Sequence, residues 1–185
     1  MKFSFLDQMK GELSSLLSCY PSFVFAFHPK PALDFVPVFT YHTIDPAMFE
    51  KELCYLKENE YTTLSPGEYF SIIRKEREAP PKAVLLTVDD GRLSFWKYGY
   101  PLLKKYGLRA TLFIIPGSTV ESEKRRANML DVWAGGIAFD TLASLDAGDY
   151  ELCSWSEIKE MYASGLINIE SHTLFHKEVF ISPRF

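Results

Sequence analysis

The length, composition and charge of the chain limit the classes of protein to which it can belong. Its 185 residues, of which 47% are hydrophobic, can bury one substantial core and are far too apolar for a disordered chain. The formal net charge of −4 argues against a nucleic-acid partner. Three widely spaced cysteines indicate neither a disulfide framework nor a cysteine metal site. We recognise neither a signal peptide nor a membrane span in the sequence. We therefore expect a cytoplasmic protein.

The first predicted elements are a strand and two helices. They follow an N-terminal extension, residues 1–33, to which the sequence assigns no role. The apolar, β-rich run Phe35–Tyr41 predicts a strand that stops at His42. Helices are expected after Asp45 and after Ser65, because each is an N-cap residue followed by a proline.

Strands and helices continue to alternate along the rest of the chain. Strands are predicted over Ala83–Val88, Arg109–Ile115 and Leu166–Ile169, with a helix over Ser94–Tyr106 between the first two. Another helix is expected after Ser154, and its spacing predicts this buried stripe: Trp155, Ile158, Met161 and Tyr162. This alternation is typical of an α/β fold with parallel strands and helical crossovers.

Two adjacent carboxylates follow the second of these strands. Asp89 and Asp90 come directly before Gly91. Neighbouring side chains on a strand point to opposite faces, but a glycine turn at the strand end can aim both carboxylates into one cleft. Taken alone, an Asp-Gly pair is more typical of an ordinary turn.

Two histidines follow the last predicted strand. His172 and His176 are four residues apart, and taken alone they fit a solvated turn or a packed imidazole pair. Because the carboxyl ends of parallel strands meet at one face, the histidines should lie near the carboxylates. Two histidines and one carboxylate suit a catalytic metal ion, and the second carboxylate stays free to accept a proton.

Two motifs resemble those of the polysaccharide deacetylases, the carbohydrate esterases with NodB homology. Thr87–Gly91 resembles the first family motif, TFDDG, with Val88 in place of phenylalanine, and Ser171–His176 resembles the second, SHTxxH. The flanking segments agree as well: Tyr100–Gly107, Ala110–Phe113 and Trp155–Met161. The resemblance covers residues 34–185 and implies a distorted (β/α) barrel. Later family motifs are not found before Phe185, so we expect about the first half of that barrel.

The resemblance also implies roles for the site residues. Asp89 corresponds to the catalytic base of the family, and Asp90, His172 and His176 correspond to its metal ligands. The cofactor would be a divalent cation, with zinc the first choice, although nickel, cobalt and iron suit the same ligands.

A finer resemblance concerns the segment after the first strand. Tyr41–Pro46 is similar to the subgroup that includes the poly-N-acetylglucosamine deacetylases, in which a histidine at this position supplies the general acid. His42 would take that role. The alternative is a histidine that packs against or caps the following turn.

The implied function is a metal-dependent hydrolase that removes an N-acetyl group from an amino sugar of a polysaccharide or its precursor. Two alternatives stay open: a truncated or inactive domain that binds metal or sugar without turnover, and a hydrolase of cyclic amides. An insertion, residues 118–153, contains Trp133, Phe139 and Tyr150. It either forms a lid or sugar-stacking wall over the site or is a surface loop whose aromatic residues pack only the insertion.

Overall fold

The computed structural model describes residues 35–144 and 151–177. The predicted N-terminal extension, residues 1–33, lies outside them. Strands and helices alternate along the described residues, as the sequence predicts. In chain order they are β1 (Val38–Tyr41), α1 (Pro46–Glu58), β2 (Thr62–Thr63), α2 (Pro66–Ile73), β3 (Ala83–Val88), α3 (Tyr100–Tyr106), β4 (Ala110–Ile114), α4 (Met129–Trp133), α5 (Phe139–Ser144), α6 (Trp155–Ala163) and β5 (Ile167–Ser171).

The strands form a five-stranded sheet in which every pairing is parallel. Its main order is β1-β3-β4-β5, and the short strand β2 pairs with the start of β3. Every residue of β3 is buried, as expected for a parallel strand that is covered on both faces. The expected α/β class is therefore confirmed, and the carboxyl ends of β1, β3, β4 and β5 lie along one edge of the sheet.

Side-chain caps begin the helices where the sequence predicts them. Asp45 accepts a hydrogen bond from the Met48 amide at the start of α1. Ser65 begins α2 with a capping box, in which its hydroxyl and the carboxylate of Glu68 each accept from the other residue's backbone amide. Such caps each contribute about 1 kcal/mol, because they satisfy amides that the first helical turn leaves without partners.

Four details differ from the predictions, the first of which is the short strand β2, which was not predicted. The helix expected over Ser94–Tyr106 begins as a π-helical turn, Phe95–Gly99, before α3. Tyr162, which was expected in the buried stripe of α6, is 67% exposed, since the stripe that faces the core is narrower than the periodicity suggested. Two short helices, α4 and α5, lie in the predicted insertion, and Leu142 of α5 is fully buried in the main core.

Within the part of the chain that the structure describes, no helix has both the length and the apolar surface that a bilayer-crossing segment requires.

Candidate active site

The predicted site residues follow the carboxyl ends of three strands. His42 follows β1, Asp89 and Asp90 follow β3, and His172 follows β5. The Asp89 amide donates to the carbonyl of Tyr41 at 2.8 Å, so the parallel ladder between β1 and β3 extends to the first carboxylate. The topology of the sheet therefore brings the groups to one edge, as the sequence predicts.

The backbone changes direction between the two carboxylates. Asp90 has φ +69° and Gly91 also has φ +69°, so the left-handed conformation begins at the aspartate and not only at the glycine. Aspartate tolerates this region better than most residues, because its short polar side chain can bond locally. The turn is anchored on the last residue of the insertion, since the Cys153 amide donates to the Gly91 carbonyl at 2.8 Å.

The loop after β5 carries both histidines. The His172 amide donates to the Ile114 carbonyl at 2.7 Å and so extends the pairing of β4 with β5. Further along, the His176 amide donates to the Thr173 hydroxyl at 2.9 Å, and both of these residues have positive φ. The backbone of the loop thus folds back on itself and brings the second imidazole to the first.

A contact with the loop after β4 supports the histidine loop. The Gly117 amide donates to the Leu174 carbonyl at 2.8 Å. A Cβ atom at Gly117 would lie 2.5 Å from that carbonyl oxygen and 2.4 Å from Cε1 of Phe175. Only glycine allows this close approach, so residue 117 helps to set the position of the loop.

Asp90, His172 and His176 form a cluster of three candidate ligands. Their ligand atoms lie within 4.8 Å of one another, and Asp90 Oδ1 is 3.7 Å from His172 Nε2 and 3.8 Å from His176 Nε2. Two atoms about 2.1 Å from one tetrahedral zinc ion lie about 3.4 Å apart, so these separations suit a shared cation. They are too long for hydrogen bonds.

The Asp90 carboxylate supplies a second observation that fits a cation. Among the described residues, its Oδ1 atom is buried and has no hydrogen-bond partner. A buried carboxylate oxygen without a partner is costly, whereas a cation between this atom and the two imidazoles would satisfy it. The residues present therefore fit a divalent metal ion.

The other predicted pair is Asp89 and His42. His42 Nε2 lies 3.8 Å from Asp89 Oδ2, and the Asp89 side chain is 19% exposed whereas that of His42 is 55% exposed. This separation leaves both groups able to reach a third molecule, because neither is hydrogen-bonded to the other. A carboxylate and an imidazole beside candidate metal ligands are groups that could serve as base and acid in the hydrolysis of an amide.

Arg92 also lies in the site, and the sequence analysis did not identify it. Its Nε and Nη2 atoms donate to Asp90 Oδ2 at 3.1 and 3.0 Å, and its Nη1 donates to the Thr43 hydroxyl at 3.4 Å. The only sequence signal was a basic residue two positions after the paired carboxylates. The left-handed turn at Asp90 lets the Arg92 guanidinium reach the Asp90 carboxylate across this short separation in sequence.

The described aromatic residues of the insertion give limited support for a lid. Trp133 lies against Lys105, whose Nζ is 5.7 Å from the indole ring. Lys105 is in the last turn of α3, near the start of β4 and therefore away from the carboxyl ends of the strands. Trp133 therefore packs against α3, which is outside the insertion, and this contact does not place it over the candidate site. Phe139 is 45% exposed, and Tyr150 lies outside the described residues.

Comparisons with known proteins agree on one family. The sequence model of the polysaccharide deacetylases matches residues 76–183. YxkH of Bacillus subtilis (strain 168), whose name places it among the polysaccharide deacetylases, is 30% identical over 158 residues, which are 81% of this chain and 46% of that protein. A poly-beta-1,6-N-acetyl-D-glucosamine N-deacetylase of Staphylococcus aureus is 28% identical over 71% of this chain and 37% of that protein. The chain thus spans less than half the length of these relatives.

Solved structures show the same fold. IcaB from Ammonifex degensii is 28% identical, with a TM-score of 0.59 over 81% of this chain and 60% of that chain. The Streptococcus pyogenes deacetylase PplD, solved in complex with acetate, has 23% identity and a TM-score of 0.58 over 80% of this chain and 60% of that chain. These likenesses confirm the expected NodB-type fold over part of its length. With the match of the family model to more than half of the sequence, they show that this chain belongs to the polysaccharide deacetylase family.

Proposed function

We propose that this chain carries the site of a metal-dependent N-deacetylase that acts on an amino sugar of a polysaccharide or its precursor. The observation that carries the proposal is the buried Asp90 Oδ1 atom, which faces two imidazoles and has no hydrogen-bond partner among the described residues. Membership of the polysaccharide deacetylase family supports the acetylated carbohydrate as the substrate class.

Asp90, His172 and His176 would bind the cation, since their ligand atoms lie within 4.8 Å of one another. When bound, a divalent cation supplies a Lewis acid that polarises the acetyl carbonyl and makes water a better nucleophile. Its identity is open among zinc, nickel, cobalt and iron.

Asp89 and His42 would move the protons. Asp89 is beside the ligand Asp90 in the chain, and its Oδ2 atom accepts the proton of the attacking water. His42 Nε2 donates a proton to the amine nitrogen as the carbon–nitrogen bond breaks. The products are the free amino sugar and acetic acid, which ionises to acetate, and the proton that Asp89 takes from water replaces the one that His42 gives to the amine.

The names of the Staphylococcus aureus relatives suggest the first substrate to test. Because they are named as poly-beta-1,6-N-acetyl-D-glucosamine N-deacetylases, we propose β-1,6-linked N-acetylglucosamine oligomers. The same sugar carried on a precursor is the second choice, because the chemistry at the acetamide is identical.

Acetate release by metal-loaded protein tests this proposal. We expect the wild-type chain to release acetate from the oligomers. Asp89→Asn should lower the rate of acetate release by at least about 100-fold, because the general base is gone. The metal content of Asp89→Asn, measured by mass spectrometry, should equal that of wild type. The control Asp140→Asn removes an exposed carboxylate of α5 and should have no effect.

Two outcomes contradict the proposal in different ways. Full activity of Asp89→Asn would refute the role of the base. Sugar binding without acetate release by the folded, metal-loaded wild type would favour the alternative of a binding domain without turnover.

A further inference from the structure

Arg92 makes a specific contact with one oxygen of a metal-ligand candidate. Its Nε and Nη2 atoms both donate to Asp90 Oδ2, at 3.1 and 3.0 Å, while Asp90 Oδ1 faces the two histidines. The Asp90 side chain is 10% exposed and that of Arg92 is 18% exposed. Charge-assisted hydrogen bonds in such a shielded position are stronger than neutral ones and fix the orientation of the carboxylate.

This contact decides how many oxygens Asp90 can offer to a cation. Carboxylates bind metal ions through one oxygen or through both. Two guanidinium N–H groups on Oδ2 occupy the lone pairs of that atom, so only Oδ1 is left for coordination. With His172 and His176, the part of the chain that the structure describes then supplies one ligand atom from each of three residues.

We propose that Arg92 is a positioning residue that confines Asp90 to one coordinating oxygen and so keeps a coordination position open for substrate and water. This inference rests on the proposed metal-dependent function. A catalytic metal site needs such an open position, whereas a carboxylate that binds through both oxygens would fill it.

The same guanidinium also contacts the loop that carries His42. Arg92 Nη1 donates to the Thr43 hydroxyl at 3.4 Å. The adjacent Ile44 amide donates to the hydroxyl of Ser94 at 3.0 Å, which ties this loop to the segment after Arg92. Arg92 therefore joins the proposed metal ligand to the loop of the proposed general acid.

Cobalt binding to the full 185-residue chain tests the inference without reference to activity. We expect Arg92→Ala to bind Co²⁺ about 10-fold more weakly than wild type in competition with a chelator, because partners of metal ligands typically contribute this much. Its visible absorption should also weaken, since a second carboxylate oxygen raises the coordination number. Arg92→Lys should give an intermediate affinity, because an ammonium group cannot present two N–H donors in one plane.

Controls separate this inference from the proposed function. Arg74→Ala removes an exposed arginine that pairs with Glu76, and it should match wild type in both measurements. Asp90→Asn should lose Co²⁺. Unchanged affinity and spectrum in folded Arg92→Ala or Arg92→Lys would overturn the inference and leave the proposed function standing. A folded wild-type chain that binds no Co²⁺ would overturn both.

Discussion

Asp89 and Asp90 have the same chemistry and adjacent positions, yet their surroundings differ. The turn to positive φ at Asp90 separates the directions of the two carboxylates. Asp90 lies against Arg92 and the two histidines, while Asp89 lies opposite His42 and is more exposed. Two carboxylates in different environments can take different roles, here a proposed ligand and a proposed base.

His42 gives a prediction at this scale that separates general-acid catalysis from packing. His42→Ala should lower the rate of N-acetyl hydrolysis by about 100-fold or more, because the amine cannot leave without a proton. Hydrolysis of an aryl acetate should change little, since a phenolate leaves without protonation. The two rates, measured on the same metal-loaded preparation, provide the check. An equal loss with both substrates would indicate a packing role.

The positions of the candidate site residues could be predicted where the ends of the strands were predictable. Asp90, His172 and His176 were placed together because each follows a strand, and parallel strands end at one edge of the sheet. Arg92 was not predicted, because its contact depends on the dihedral angles of a two-residue turn. No periodicity in the sequence reports those angles.

At the scale of elements, an ion pair with a fully buried carboxylate fastens the insertion to α6. Glu157 is fully buried, and it accepts hydrogen bonds from the backbone amide and the guanidinium of Arg126. Its carboxylate also accepts from the Ser154 amide and so completes the capping box of α6. Arg126 contacts Glu151 as well, so one cation joins the two sides of the insertion.

Removing this carboxylate should strongly destabilise the fold. We expect Glu157→Ala to lower the free energy of unfolding by about 3 kcal/mol or more, because it leaves Arg126 without its buried partner. The matched control is Glu160→Ala in the same helix. Glu160 is 39% exposed and pairs with Arg125, so its loss should have an effect of at most about 1 kcal/mol. Urea denaturation measures both, and equal effects would contradict this account.

The loss of stability at acidic pH should reflect the protonation of Glu157. Burial raises the pKa of Glu157, but hydrogen bonds from Arg126 and from backbone amides outweigh it, and the pKa lies below its ordinary value of 4.5. Its stabilisation is therefore complete above pH 4.5 and is lost as the pH falls through the folded-state pKa. The stability difference between wild type and Glu157→Gln should shrink over that range in urea titrations, and a constant difference would contradict it.

The contact between the loops after β4 and β5 gives a second prediction at the element scale. Gly117→Ala should weaken metal binding by about 10-fold, because its Cβ forces the Leu174 carbonyl and with it the histidine loop to move. The control is Gly67→Ala in α2, where a Cβ meets nothing within 4 Å. Gly67→Ala should leave the metal affinity equal to that of wild type and should stabilise the protein by up to about 1 kcal/mol. Chelator competition and thermal denaturation provide the measurements, and unchanged affinity in Gly117→Ala would refute the proposed effect.

For the whole molecule, bound metal should raise stability, because the cluster exists only in the folded chain. When its free concentration is 100 times the dissociation constant, a cation that binds only the native state adds about 2.7 kcal/mol to the free energy of unfolding. For a chain of this size we expect the midpoint of thermal unfolding to rise by about 5 to 10 °C. A chelator should reverse the change, and His176→Ala should abolish it. An equal rise in that variant would show that the metal binds elsewhere.

The order of elements was the most predictable property of the whole molecule. Caps such as Asp45 and Ser65, and apolar runs such as β3, are local signals, and they located most of the helices and strands. The details that differ depend on tertiary packing. The π-helical turn Phe95–Gly99 is buried throughout, and β2 has only two residues, so neither leaves a periodic signal.

The parallel sheet also has a consequence for the order of folding. Each of its pairings closes a segment of chain, and the segment between β4 and β5, which includes the insertion, is the longest of these. Closing longer segments has a larger entropic cost, so we expect this pairing to form last. The same pairing brings His172 to Asp90, and the proposed cation site would therefore form only when the rest of the sheet is complete.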